Sequence, residues 1–252
     1  MCEDFNKRHE FYRTSIKLNA VTLALNDEDT IAGTINCMKP FVNRHLVLIS
    51  EKSYFGDVMD NSKTEVICEK LGVETIKGFW KLDHFQRSLG NQMVSDCDWV
   101  MTLDSDEMID QENMKKLIKI MEESPKDVYA IGVRPEVYFK TTDYVLRPIP
   151  DYVPIIATRP FVRFPYIRNI DHPFTLVDDV IMHHVSWGEP KDVYKKVVCY
   201  AHATDFDGKN WYDAHYKDVI PSDGLTVELP NSMYTLKYQP LPEELKKCLN
   251  TI

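Results

Sequence analysis

Asp104, Asp106 and Glu107 form a short acidic cluster directly after an apolar run at 99–103. At the end of an extended strand, the D-x-D spacing presents two hard oxygen donors to one cation. A Mg²⁺ or Mn²⁺ ion held by few carboxylates keeps positions free for diphosphate oxygens, and it can offset the charge on a departing nucleoside diphosphate. Because open α/β sheets bind ligands at the carboxyl ends of their strands, this position favours a functional site.

Two other interpretations of the acidic cluster compete with a metal site. A bare D-x-D is most often a solvated acidic turn that caps the following helix. An EF-hand calcium loop fits poorly, because counting Asp104 as position one puts Ile109 where glycine is required and Lys115 where the bidentate glutamate belongs. The elements around the cluster therefore decide between these interpretations.

Short β-rich runs alternate with helical patterns from residue 21 to residue 107, which predicts βαβ units around a mostly parallel sheet. The predicted strands of this region are 21–26, 45–50, 73–77 and 99–104, and a further strand is predicted at 129–139.

Four helices are predicted between and behind these strands. The second begins with a capping box at 62–65 and closes at Gly72. The third runs from about 84 to 95 with Asp83 as its cap, and the fourth ends at Pro125. The predicted inward residues are Ile31, Ile35 and Met38 in the first helix, Phe85, Leu89 and Met93 in the third, and Met114, Leu117, Ile118 and Met121 in the fourth.

Periodicity fades behind the fourth helix. The stretch 141–173 is rich in proline and aromatic residues and is long for a passive loop, so we expect it to shape a substrate pocket. A last helix is predicted at about 190–203, with Val193, Val197 and Tyr200 facing inward. Because a chain of 252 residues can bury one sizeable core, we expect a single domain.

The charge and cysteine content exclude several classes of protein. A formal net charge of −9 argues against binding nucleic acid or an anionic membrane through a broad basic surface. The six cysteines are widely spaced and contain no C-x-x-C pair, which indicates reduced thiols. No run approaches the length needed to span a bilayer. These features together predict a soluble, cytoplasmic protein.

Three segments together resemble family 2 glycosyltransferases of the GT-A fold. They are 23–28 (LALNDE), 86–91 (QRSLGN) and 98–107 (DWVMTLDSDE), and the last is similar to the DWVLxLDADE signature of that family. The resemblance covers about 21–124 and, more loosely, 181–186. It implies an α/β fold with a Rossmann-like, mostly parallel sheet flanked by helices, a nucleotide-sugar-binding half at about 18–125, and an irregular acceptor-side half at about 126–252.

The same resemblance implies a donor, a metal and a reaction. The donor is a nucleotide sugar, UDP- or GDP-linked, and the acceptor is a hydroxyl group of a glycan or another molecule. Mn²⁺ or Mg²⁺ binds at Asp104 and Asp106, and the sugar is usually transferred with inversion. The positions expected to contact the donor are Asn26, Glu28, Glu51, Arg87 and Asp104, whereas Glu107 is expected to support the site.

A histidine downstream completes the expected metal site. The run 183–187 (HHVSW) resembles the HxSW end of some family members, in which a histidine supplies a further metal ligand. We expect that ligand to be His184, since a neutral imidazole suits Mn²⁺ beside carboxylates. The alternative is a hydrogen-bonded structural histidine in a strand.

The catalytic base and the sugar-contacting aromatic residues are the least defined by sequence. An inverting transferase needs one carboxylate to take the proton of the attacking hydroxyl. By its place in the chain Asp179 is preferred and Asp171 is second, with Asp178, Asp143 and Glu136 as further candidates and surface capping as the alternative role. Aromatic residues that could stack on sugar rings, or simply pack in the core, are Trp187, Trp211, Tyr152, Tyr166 and Phe174.

Three further functions remain as alternatives. A sugar-nucleotide pyrophosphorylase would need a glycine-rich loop where the acidic segment 26–29 stands, and a two-metal phosphohydrolase would need more clustered His and Asp residues. A binding module that kept the fold and lost the reaction is the third possibility. The intact carboxylates argue against it.

Overall fold

The first half of the chain builds four parallel strands. The computed structural model describes residues 12, 14–199, 206–230 and 232–251. In spatial order the strands are β3 (Glu74–Gly78), β2 (Arg44–Ser50), β1 (Leu18–Ala24) and β4 (Trp99–Asp104). All four predicted strands are confirmed. β1 ends at Ala24 rather than at residue 26, because Asn26 has a φ of 54°, a left-handed conformation that cannot continue a strand.

The first two helices follow the predictions, with one correction. In α1 (Ile31–Met38) the predicted inward residues are buried, and α2 (Ser62–Leu71) ends at Gly72, whose φ of 70° allows the left-handed cap. The predicted capping box at 62–65 is wrong. The N-cap residue is Asn61, which makes no capping hydrogen bond because its side chain bonds the backbone of Asn26 and Ser50 instead.

The orientation predicted for the third helix is also wrong. α3 spans Asp83–Met93, so Asp83 is its first residue and Leu82 is the N-cap. Phe85 is 59% exposed and Met93 is 37% exposed. The buried residues of α3 are instead Gln86, Arg87, Gly90 and Asn91.

Close approach and hydrogen bonds explain why this polar face is buried. A Cβ at Gly90 would lie 2.5 Å from Val21 Cγ1, so the missing side chain lets α3 pack against β1. The Gln86 amide donates to the carbonyl oxygen of Leu48 at 2.8 Å, and Asn91 Oδ1 accepts from the Thr102 hydroxyl at 3.0 Å. Paired polar groups can be buried at low cost, so the sheet accepts this face.

The fourth helix shows the expected apolar face. α4 spans Gln111–Glu123, and the four residues predicted to face inward are all buried. Its N-cap residue, Asp110, accepts a hydrogen bond from the backbone of Asn113 at 2.9 Å, which satisfies one of the free N–H groups of the first turn.

The second half extends the sheet with mostly antiparallel strands. The long strands β6 (Ala130–Lys140) and β9 (Phe174–Gly188) pair in parallel, and the two-residue strand β5 (Glu107–Met108) pairs with β9. The stretch 141–173 is not a plain loop, because it contains β7 (Tyr144–Arg147) and β8 (Ile155–Thr158). A hairpin of β10 (Thr226–Leu229) and β11 (Ser232–Tyr238) completes the order β10-β11-β7-β6-β8-β4-β1-β2-β3.

The remaining helices of the chain are short. They are α5 (Val193–Cys199), α6 (Gly208–Trp211) with a π-helical turn at Tyr212–Tyr216, and α7 (Glu243–Asn250), which packs on α1. Within the predicted helix 190–203, Val193 and Val197 are buried as expected, and Tyr200 lies outside the described residues. The five described cysteines form no disulfide. Within the described ranges, no helix is long and apolar enough to cross a membrane.

Candidate donor and metal site

Strand pairing brings His184 to the acidic cluster. Asp104 ends β4, Asp106 lies in the following turn, and Glu107 begins β5, where it pairs with His184 of β9. The backbone N–H of Val185 donates to the carbonyl oxygen of Asp106 at 3.0 Å. As a result, His184 Nε2 lies 3.3 Å from Asp106 Oδ1. Two residues predicted as metal ligands are therefore neighbours.

Glu107 supports the turn from below. Its side chain is fully buried, and its Oε2 atom accepts the backbone N–H of Asp104 at 2.9 Å. Arg168 balances this carboxylate through two hydrogen bonds and also donates to the carbonyl oxygen of Thr102 at 2.9 Å. This buried ion pair, with hydrogen bonds to the backbone of Asp104 and Thr102, fixes the turn that presents Asp104 and Asp106. The sequence offered no signal for the pairing of Arg168 with Glu107.

Arg87 of α3 holds Asp104. Its Nη2 atom lies 2.7 Å from Asp104 Oδ1 and donates a hydrogen bond to Oδ2 at 2.8 Å. Burial would raise the pKa of Asp104, but the nearby charges of Arg87 and Arg168 outweigh it and lower the pKa to about 2. No described residue hydrogen-bonds to Asp104 Oδ1 or to Arg87 Nε and Nη1, although all three atoms are buried.

Two lysines that the sequence analysis missed meet Asp106. Lys196 Nζ lies 3.2 Å and Lys191 Nζ 3.7 Å from Asp106 Oδ2. Burial opposes ionisation, yet Lys196, Lys191 and His184 together keep the pKa of Asp106 well below its usual value. Both lysines follow β9 in a segment with no motif of its own. Only their charge, next to the predicted histidine, could have singled them out.

Asp27 ties the loop after β1 to the same cluster. Its Oδ2 atom accepts the Ser105 hydroxyl at 2.6 Å and the backbone N–H of Leu25 at 2.7 Å, while Oδ1 pairs with Lys191. The acidic loop therefore points one carboxylate inward, where it binds a lysine. This contact fixes the carboxyl end of β1 relative to the turn after β4.

These groups line a cavity of about 850 Å³ at the carboxyl ends of the parallel strands. Of the predicted site residues it includes Arg87, Asp104, Asp106 and His184. It does not include Asn26, Glu28 or Glu51, whose immediate neighbours line it instead: Leu25, Asp27, Ser50 and Lys52. As expected, the stretch 141–173 contributes to the wall, through residues 146, 150–154 and 167–169.

The structure does not bring the predicted catalytic carboxylates into this cavity. Asp171 and Asp179 are exposed and lie outside its lining. The further candidates are paired elsewhere: Asp178 with Arg134, Asp143 with Lys246, and Glu136 with Arg147. Asp151, which sequence reasoning did not consider, does line the cavity.

Two of the five proposed aromatic contacts reach the cavity. Tyr152 and Trp187 line it, and the Tyr152 hydroxyl lies 3.0 Å from His184 Nδ1, the ring nitrogen away from Asp106. Trp211 packs in the core, whereas Tyr166 and Phe174 are exposed outside the lining. Through this contact Tyr152 orients the His184 imidazole so that Nε2 faces Asp106, as a neighbouring side chain often does for a metal-binding histidine.

The carboxylates and the imidazole of this cluster suit a divalent cation that takes its remaining ligands from a bound molecule. No group of three or more His, Cys, Asp or Glu side chains within the described ranges is arranged to hold an ion alone. Asp106 and His184 are nevertheless close enough to share one, and Asp104 lines the same cavity, where it is paired with Arg87. A site with few protein ligands leaves positions for phosphate oxygens, which is how Mg²⁺ is usually bound beside nucleotides.

Comparison with solved structures identifies the fold. A mycobacterial protein aligns with a TM-score of 0.50 and 15% identity, over 90% of this chain and 84% of its own. Glucosyl-3-phosphoglycerate synthase from Mycobacterium tuberculosis, in complex with Mn²⁺, UDP and phosphoglyceric acid, aligns with a TM-score of 0.50 and 14% identity, over 90% and 88%. The α/β fold with a central sheet flanked by helices is thus of the GT-A type, as predicted. No protein-family model and no curated protein matches the chain.

Proposed function

We propose that this chain is a metal-dependent glycosyltransferase that moves a sugar from a UDP- or GDP-linked donor to a hydroxyl group of a glycan or another acceptor. The observation that carries the proposal is the contact of Asp106 with His184 in a cavity that also contains Lys191 and Lys196. An ionised carboxylate, an imidazole and several cations at a strand end suit a diphosphate bound through a divalent ion. The similar fold solved with Mn²⁺ and UDP supports this choice.

Asp106 and His184 would hold the ion, and Asp104, whose carboxylate is paired with Arg87, would complete the site. Mn²⁺ and Mg²⁺ both accept carboxylate oxygens, and Mn²⁺ also accepts imidazole. When bound, the ion supplies Lewis-acid stabilisation of the leaving diphosphate. The low pKa values of both aspartates keep them ionised at neutral pH, ready for this role.

The cations around the cluster would bind the diphosphate directly. Lys191 and Lys196 place two ammonium groups at one oxygen of Asp106, and both side chains line the cavity. Arg87 is 2% exposed and lines the cavity, and no described residue accepts a hydrogen bond from its Nε or Nη1 atom. Preorganised donors of this kind stabilise the negative charge that develops as the sugar–phosphate bond breaks.

The nucleoside would lie at the carboxyl ends of β1 and β2. Leu25, Ser50 and Lys52 line that end of the cavity, and Tyr54 and Trp80 offer aromatic surface for a base. Asn26, Glu28 and Glu51, which the family resemblance indicated, flank these residues in the chain.

Inversion requires a carboxylate on the acceptor side to take the proton of the attacking hydroxyl. Asp179 and Asp171 keep this role as predictions from family position. Asp151 is a third candidate, because it lines the cavity beside Tyr152, which contacts His184. Replacing each by asparagine distinguishes them: loss of transfer with retained donor hydrolysis identifies the base.

A panel of UDP- and GDP-linked sugars, with released nucleoside diphosphate as the readout, tests the proposal. We expect at least one donor to be hydrolysed slowly in the presence of Mn²⁺ or Mg²⁺. Hydrolysis should stop with EDTA and in Asp106→Asn, but continue in Asp127→Asn, a matched control at an exposed residue outside the cavity. Metal-dependent nucleotide binding without hydrolysis of any donor or transfer to any acceptor would indicate a binding module instead.

A further inference from the structure

The cavity continues from the acidic cluster to an apolar wall in the second half of the chain. The lining changes from polar to apolar between adjacent residues: Ser186 is followed by Trp187, and Lys196 by Val197. The described side chains of this wall are Leu146, Trp187, Val197, Phe206, Leu229 and Tyr234. With the nucleoside at the ends of β1 and β2, this wall is where an acceptor would enter.

We infer that the acceptor carries its hydroxyl group on an apolar or aromatic body, rather than on a small phosphorylated or carboxylated acid. This inference rests on the proposed function and specifies its acceptor. Apolar surface at a pocket wall favours ligands that remove apolar surface of their own from water. The six wall residues named above carry no charged side chain.

The wall is held in place by a core of its own. Leu146 is fully buried, and Val197 and Leu229 are only 4% and 6% exposed. The rings of Trp187 and Trp211 pack edge to face at a centroid distance of 5.2 Å, and the Trp187 carbonyl oxygen accepts the Tyr216 hydroxyl at 2.9 Å. A wall fixed in this way is a preformed pocket that a ligand can fill without reordering side chains.

Two described cations near this wall are paired with carboxylates. Lys196 contacts Asp106, and it also donates to the Ser186 hydroxyl. Arg147, on β7 next to Leu146, is paired with Glu136 at 2.6 and 3.0 Å. An anionic acceptor would have to compete with the donor diphosphate for Lys196 and with Glu136 for Arg147, whereas an apolar body would leave both cations to these partners.

Paired probes that share a sugar test the inference. Calorimetry on the protein preloaded with UDP and Mn²⁺ compares phenyl β-glucoside, methyl β-glucoside and 3-phosphoglycerate. We expect the phenyl compound to bind about tenfold more tightly than the methyl compound or better, and 3-phosphoglycerate no better than the methyl compound. Equal affinity of the two glucosides, tightest binding of 3-phosphoglycerate, or no binding of any probe would overturn the inference.

Variants assign the preference to the wall. Leu229→Gln should reduce the advantage of the phenyl ring to about threefold or less, whereas Val58→Gln, at a residue 80% exposed and outside the cavity, should leave it unchanged. UDP affinity shows that each variant is folded, and Tyr234→Ser, at a half-buried position, replaces Leu229→Gln if that protein does not fold. An unchanged phenyl preference in a folded wall variant would contradict the inference. Donor hydrolysis without an acceptor tests the proposed function separately.

Discussion

Helices α3 and α4 lie against the same sheet but bury opposite kinds of face. α4 turns an apolar stripe inward, namely Met114, Leu117, Ile118 and Met121. α3 turns a polar one inward, namely Gln86, Arg87, Gly90 and Asn91, and leaves Phe85 exposed. α4 packs on the apolar core, whereas α3 reaches the cavity, where Arg87 holds Asp104. Apolar periodicity therefore predicts which face of α4 is buried. For α3, the helix that reaches the site, it predicts the wrong face.

The largest expected effect is on the packing helix. Leu117→Ala should lower the free energy of unfolding by about 3 kcal/mol, because it removes a fully buried side chain and leaves a cavity. Urea unfolding measures this loss. UDP affinity of the folded variant should be unchanged, and a nucleotide-binding defect at full stability would contradict the division between the two helices.

His45 is a buried polar residue away from the cavity, and its titration should change the stability of the fold. Burial lowers the pKa of His45 to about 4, and one ring nitrogen lies 2.9 Å from the Thr22 hydroxyl. Since the folded pKa is below the unfolded value of about 6.5, the unfolded state binds more protons between these values. Stability should therefore fall as the pH decreases from 6.5 to 4, by about 3 kcal/mol in total.

The control for this effect is His45→Gln, which does not titrate in that range. Urea unfolding at pH 7, 6, 5 and 4 should show a steeper decline for the wild type than for the variant. Parallel declines would mean that His45 titrates normally in the folded protein.

Arg87→Met tests whether α3 contributes to nucleotide binding. We expect UDP affinity to fall about 30-fold, or about 2 kcal/mol, because the variant removes charged donors from the cavity. Arg87→Lys, which keeps the charge without the planar fork, should recover part of the loss. Calorimetry provides the measurement, and full affinity in a folded Arg87→Met protein would remove α3 from the donor site.

The smallest expected effect is at the exposed face of α3. Phe85→Ala should change stability by less than about 0.5 kcal/mol, because the ring is 59% exposed. If Phe85 faced inward, as its apolar spacing suggests, the cost would be about 3–5 kcal/mol. A loss of that size would restore the orientation expected from periodicity.

Local patterns predicted much of the fold and part of the site. The parallel strands, α4 and the left-handed end of α2 at Gly72 each depend on neighbouring residues, so their signals are present in short windows. The contact of Asp106 with His184 was anticipated only through the family resemblance. The pairing of Glu107 with Arg168 and the two lysines at Asp106 arise from chain segments far apart in sequence, for which one sequence contains no pairing signal.

The capping box illustrates a different failure. Residues 62–65 match its pattern, but Asn61 occupies the N-cap position. Its side-chain oxygen accepts a hydrogen bond from the backbone N–H of Asn26 instead of capping the helix. A tertiary hydrogen bond thus replaced a local one. Sequence patterns for local structure fail near the cavity in this way because side chains there bond to the loops that form the site.

The central claim is that a nucleoside diphosphate binds at the acidic cluster through a divalent cation. Calorimetry with UDP and GDP, each with and without Mn²⁺, tests it on the wild type and on Asp106→Asn. We predict that Mn²⁺ strengthens binding of one nucleotide by about tenfold or more in the wild type and has little effect in the variant. Metal-independent binding by the wild type, no binding, or full metal dependence in Asp106→Asn would contradict the account.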